Sequence, residues 1–265
     1  MKYLMKNWKP PFTARDQEQP LLEHLEAFRR MLLQSLGVLL VACVLCIPLA
    51  KPLLIWLQAP LLKVASQNQY AYELITTSPV EGFMQVVKVV FASGVLLSLP
   101  VIIVLIARFV FPGLKPKEQK MIATGGISGA ALFAVGVTLC YAITLPVAVK
   151  VMFYFNDYLG TTANWKIDSY LGFVLQLLIG FGLAFELPLI LLMLGRMGLI
   201  TTAQMRAHRR QVIIGILVIA MGLTPPDVPS QLQMAIPLYL LYELCIWILR
   251  LMERRDRKSK EGSKE

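Results

Sequence analysis

Between Asp168 and Arg196 stand 27 residues whose only charged side chain is Glu186. At 1.5 Å per residue a helix over that interval is about 40 Å long, more than the roughly 30 Å of a bilayer core. Glu186 would then lie ~15 Å from Arg196, near mid-membrane. A carboxylate at that depth costs about 2.5–3.5 kcal/mol on insertion scales, so it must face protein or water rather than lipid. Pro188 follows two residues later and has no N–H, which leaves the Ala184 carbonyl without its usual helical partner.

Other charge-poor intervals repeat the pattern. With 57% hydrophobic and 16% charged residues and a mean hydropathy of +0.63, the chain is no soluble domain. The intervals predict an all-α integral membrane protein with six transmembrane helices, at about 31–50, 83–107, 121–145, 170–194, 211–224 and 232–249. Spans five and six are short, and the Pro225-Pro226 pair sits between them. Residues 1–20 read as a poorly ordered tail, 21–250 as one membrane domain and 251–265 as a basic tail. Leu21, Leu25, Phe28 and Leu32 recur at helical spacing, so an amphipathic surface helix runs into the first span. Residues 51–80, broken by Pro60 and Pro79, read as a partly helical segment against the outer membrane face. Lys88 falls near one end of span two and can snorkel to the surface.

Lys and Arg set the orientation. The amino-terminal segment, the loops after spans two and four and the carboxyl tail hold 21 of them, and the other loops hold 4. Both termini are therefore expected in the cytoplasm. The net charge of +10 belongs to these loops and does not point to nucleic acid. Cys43, Cys46, Cys140 and Cys245 all lie in apolar runs and read as inert thiols, the C-x-x-C spacing of the first two notwithstanding. Two histidines do not make a conventional metal site. No phosphate-binding glycine loop, H-E-x-x-H or hydrolase order is present, so neither an enzyme nor a cofactor is expected. No inverted repeat of the transporter kind is evident.

Several strings resemble the TatC family, the polytopic receptor subunit of the twin-arginine protein translocase. They are Leu22-Glu-His-Leu-Glu-Ala-Phe-Arg-Arg30, Thr77-Ser-Pro79, Phe109-Val-Phe-Pro-Gly-Leu-Lys-Pro-Lys-Glu118, Phe185-Glu-Leu-Pro188 and Leu223-Thr-Pro-Pro-Asp-Val-Pro-Ser-Gln231, then Ala235-Ile-Pro237 and Leu241-Tyr-Glu243. They follow the family's order over residues 21–250. The resemblance implies a non-enzymatic subunit of the bacterial inner membrane. It would bind twin-arginine signal peptides of folded cargo and export them with small single-span partners, TatA and TatB, using the proton gradient.

By the same resemblance the signal-peptide surface is cytoplasmic and includes Glu118, Phe109, Glu23, Glu26 and Arg29. A carboxylate suits it, because it accepts a guanidinium fork through two charge-assisted hydrogen bonds. Where the family has a glutamate three residues after the histidine, this chain has Ala27. Glu23, one turn earlier and about 40° off that face, is the expected substitute. Glu26 is expected to pair with Arg30 at i,i+4. The resemblance also assigns Glu186, Asp227, Gln231 and Pro60 to partner contacts or self-association, and Glu243 reads as a packing residue. From the residues alone, an ion- or proton-coupled transporter using Glu186 is the competing reading.

Overall fold

The computed structural model describes residues 14–70, 72–110, 116–196, 198, 200–223 and 228–261, with side chains for 23–70, 72–109, 126–195, 198, 200–222 and 231–253. Helices α1 (Ala14–Cys46) and α2 (Ala50–Asn68) precede strand β1 (Tyr72–Ile75) and helix α3 (Glu81–Val110). Helix α4 (Pro116–Leu139), a π-helical turn (Cys140–Thr144) and α5 (Leu145–Tyr158) form one continuous rod. Then come β2 (Ala163–Lys166), α6 (Ile167–Arg196), the short α7 (Thr202–Ala207), α8 (Arg209–Leu223) and α9 (Val228–Glu261). The protein is an all-α, multi-span membrane protein to which a small two-stranded sheet is added. Among the described residues five helical stretches are long and apolar enough to cross a bilayer: Glu23–Cys46, Glu81–Phe109, Gly126–Tyr158, Ile167–Gly195 and Gln231–Glu253.

The expected fifth span is α8, whose 15 residues reach only ~22 Å. The expected third span ends near residue 145, yet the rod continues to Tyr158. Pro146 explains its local geometry. The N–H of Leu145 reaches back five residues to the Cys140 carbonyl, so the ladder widens just before the residue that has no donor. Helix also persists past the expected end of the sixth span, because α9 continues to Glu261.

Helix α6 is the axis of the bundle. Leu171, Val174, Leu178, Phe181 and Phe185 recur along one face and are buried, as a helical stripe against neighbours requires. Half of its most apolar stretch is buried, against 6% of that of α1, which packs on α3 at the edge. The α4–α6 seam is closed through glycines. A Cβ on Gly136 would meet Phe185 Cγ at 2.7 Å and the Phe181 carbonyl at 2.9 Å, and one on Gly182 would strike the Phe133 ring. Gly94 is pressed in the same way against Cys43 of α1.

One end of the bundle carries the sheet. Strands β1 and β2 pair in parallel with Tyr72 opposite Ala163 and Ile75 opposite Lys166. The ring of Phe153 anchors them: Tyr70 stacks on it at 4.7 Å, Trp165 lies at 4.7 Å and Tyr72 meets its edge at 6.4 Å. The segment expected to be partly helical is thus α2 plus a strand. Pro60 inside α2 deprives the Trp56 carbonyl of its partner. The Tyr141 hydroxyl donates to that oxygen at 2.7 Å while its ring stacks on Trp56 at 3.9 Å.

Charged residues pin helices together. Lys88 Nζ lies 2.7 Å from Asp168 Oδ1, which also accepts from Gln85 Nε2 at 2.8 Å, so Lys88 joins α3 to α6. At the opposite end Arg209 Nη2 lies 2.7 Å from Glu243, and the Tyr239 hydroxyl donates to the same carboxylate at 3.1 Å. Glu243 is therefore an ion-pair partner joining α8 to α9. Glu253 caps α7 by accepting from the Thr202 hydroxyl at 2.7 Å and from its N–H at 3.1 Å.

Candidate functional site: a polar cleft between α1 and α3

Away from the sheet-bearing end, the first turns of α1 that carry described side chains meet the last turn of α3. Between them opens a cleft of about 470 Å³, lined among others by Glu23, Glu26, Ala27, Arg30, Arg108 and Phe109. Four of these come from α1 because residues three and four apart share a helix face. The aromatic wall is held in place: the His24 ring stacks on Phe109 at 4.8 Å, and Phe28 lies 5.5 Å from it.

The two carboxylates differ. Arg29 Nη1 lies 3.2 Å from Glu26 Oε2, an i,i+3 pair, in place of the i,i+4 pair with Arg30 expected from spacing. Both side chains are well exposed, so the pair is worth under about 1 kcal/mol. Glu23 has no hydrogen-bond or ion-pair partner among the described residues. The side chain of Ala27 also lines the cleft and contributes only its methyl group. Arg30 and Arg108 line the same cleft, so a cationic ligand is not drawn in by net charge. Recognition there depends on individual carboxylates presented in the right place. Glu118 belongs to the first turn of α4, and its side chain lies outside the described residues.

The remaining candidate residues lie elsewhere. Glu186 is 2% exposed, and neither carboxylate oxygen has a hydrogen-bond partner among the described residues. Gly129 of α4 lies over it, so closely that a Cβ there would meet Oε2 at 2.8 Å. Two residues further along α6 the Cys245 thiol donates to the Pro188 carbonyl at 3.5 Å, tying α9 to α6. Gln231 donates to the Leu217 carbonyl at 3.1 Å within the α8–α9 hairpin. Pro60 is buried in α2, and Asp227 lies outside the described residues. The four cysteines are unpaired, three of them buried and Cys43 half-buried. No group of three or more potential metal ligands occurs among the described residues. Sequence reasoning missed Arg108 and Gln34 in the cleft. The signal available was their position, one residue before Phe109 and two turns beyond Ala27.

Residues 23–237 match the family model described as Sec-independent protein translocase protein (TatC). The chain is 34% identical over 234 residues to the protein of that name from Helicobacter pylori, covering 88% of each chain. It is 31% identical over 252 residues to the Escherichia coli K12 protein, covering 93% of this chain and 94% of that one. Among solved structures it is similar to a twin arginine translocase receptor, TatC, with a TM-score of 0.74 and 35% identity, over 86% of this chain and 98% of that one.

Proposed function

Since the chain belongs to the TatC family, and so is a non-catalytic receptor and core subunit of twin-arginine protein export, we propose that the α1–α3 cleft is where it takes the arginine pair of a signal peptide. The observation that carries this reading is the pairing state of the two acids. Glu26 is held by Arg29, whereas Glu23 is left with open acceptor positions beside the His24–Phe109 stack. A guanidinium fills such a carboxylate through two parallel N–H···O bonds, and an ammonium reproduces only one of them. Glu118, a short segment beyond Phe109, supplies the second carboxylate, so that each arginine has one acid. Arg29 acts by holding Glu26.

Six spans complete the topology, with α8 as the short fifth. The cleft and both termini face the cytoplasm of a bacterial inner membrane, and the sheet-bearing end faces outward; the charge asymmetry of the loops supports this orientation. Partners of the TatA and TatB kind meet the chain near Glu186, Asp227, Gln231 and Pro60. Glu186 is covered by Gly129, so a partner helix reaches its carboxylate only when α4 yields at that glycine. The transporter reading rests on Glu186 alone and gives way to family membership.

Site-specific cross-linking from Phe109 and Glu118 to a twin-arginine peptide tests the receptor surface, with a double-lysine peptide as control. Selective capture of the arginine peptide is expected. Equal capture of both would overturn the assignment of this cleft.

A further inference from the structure

At the sheet-bearing end, a groove of about 530 Å³ runs between α5, β2 and the start of α6. That volume lies within the roughly 300–1,000 Å³ typical of small-molecule sites. Met152, Phe155 and Phe173 are among its apolar lining residues, and Asn164, Lys166 and Ser169 among its polar ones. Its depth in the membrane follows from the chain. One crossing helix ends at Tyr158, three residues after Phe155, and another begins at Ile167, immediately after Lys166. The groove therefore opens where acyl chains meet headgroups. Phe155 is 54% exposed there. Lys166 makes no ion pair among the described residues. Asp168, two residues on, lies within electrostatic reach of Lys166 but gives its Oδ1 to Lys88 at 2.7 Å and to Gln85 at 2.8 Å.

We propose that this groove binds an anionic phospholipid of the sheet-side leaflet. One acyl chain lies along Met152, Phe155 and Phe173, and the phosphodiester sits at Lys166, with Ser169 and Asn164 as neutral donors. An acyl chain gains no hydrophobic free energy on leaving bulk lipid for an apolar groove, because lipid tails are equally apolar. Occupancy is therefore decided at the polar residues. Lys166 attracts the net negative charge of a phosphatidylglycerol, whereas the quaternary ammonium of a phosphatidylcholine opposes it. This site is independent of the peptide cleft, which lies at the other end of the bundle.

Native mass spectrometry of the full chain in dodecyl maltoside, with added phosphatidylglycerol or phosphatidylcholine, reads the site directly. One phosphatidylglycerol should be retained in preference to phosphatidylcholine. Lys166→Gln should lower that retention about fivefold, as loss of one lysine near an anionic surface predicts. Lys51→Gln, at an exposed lysine of α2, should leave it unchanged. Equal retention of the two lipids, or an equal loss in both variants, overturns the proposal. A photo-reactive residue replacing Phe155 supplies a second reading in membrane vesicles. Lipid adducts support the site, and adducts confined to a protein partner overturn it.

Discussion

Glu23 and Glu26 stand one turn or less apart on α1 and line one cleft, yet among the described residues only Glu26 has an internal partner. Glu23→Ala should weaken twin-arginine peptide binding about tenfold, the lower end for a hydrogen bond to a charged group at an exposed site. Glu26→Ala should weaken it less, because its carboxylate is already engaged by Arg29. Titrating a labelled peptide against both variants checks the order, and the reverse order would remove Glu23 from the site. Glu186 yields the opposite kind of expectation. A buried acid without a partner opposes folding, so Glu186→Leu should raise the thermal midpoint in detergent by an amount equivalent to about 1–4 kcal/mol. The same variant should lose export while still binding signal peptide. An unchanged or lower midpoint would mean that the carboxylate has a stabilising partner. The isolation of Glu186 was legible in the sequence, since it is the one charge in a 27-residue run. Its covering by Gly129 was not, because a glycine in an apolar helix marks a possible close approach without naming the neighbour.

Elements show the same division between what a sequence displays and what it hides. Five of the apolar intervals correspond to long helices, because a charge-poor run of that length has one low-energy solution in lipid. The strands left no readable trace. Each has four residues, and β1 pairs with a partner about ninety residues away, with no turn signal between them. The helix ladder was readable only in part. Prolines announce orphan carbonyls, but whether a π turn or a side chain resolves each one depends on packing. For Pro60 the answer is Tyr141, and this gives a test. Tyr141→Phe keeps the ring on Trp56 and removes the donor to its carbonyl. It should cost about 1 kcal/mol and speed amide exchange in α2. Unchanged exchange there would show that another donor serves that carbonyl.

Across the whole molecule the helices are held unequally. The α4–α6 seam is glycine-lined and tight, whereas α1 lies at the edge with only a small part of its apolar face covered. Gly136→Val should therefore cost about 1–3 kcal/mol of stability as an overpacking change, because the atoms it meets include the Phe181 carbonyl. Thermal unfolding in detergent measures it, and a neutral result would mean that α4 and α6 can separate without penalty. The short α8 has a consequence that reaches beyond the chain. As the proposed fifth span, α8 at ~22 Å falls several ångströms short of a roughly 30 Å core, and each ångström of mismatch costs a fraction of a kcal/mol. The lipid along that edge is thus a strained perimeter with a line tension. Two copies that meet along α8 erase part of that perimeter, so the membrane itself pushes them together without any matched contact. Pairing in vesicles, counted by single-molecule photobleaching, should then rise as the acyl chains lengthen.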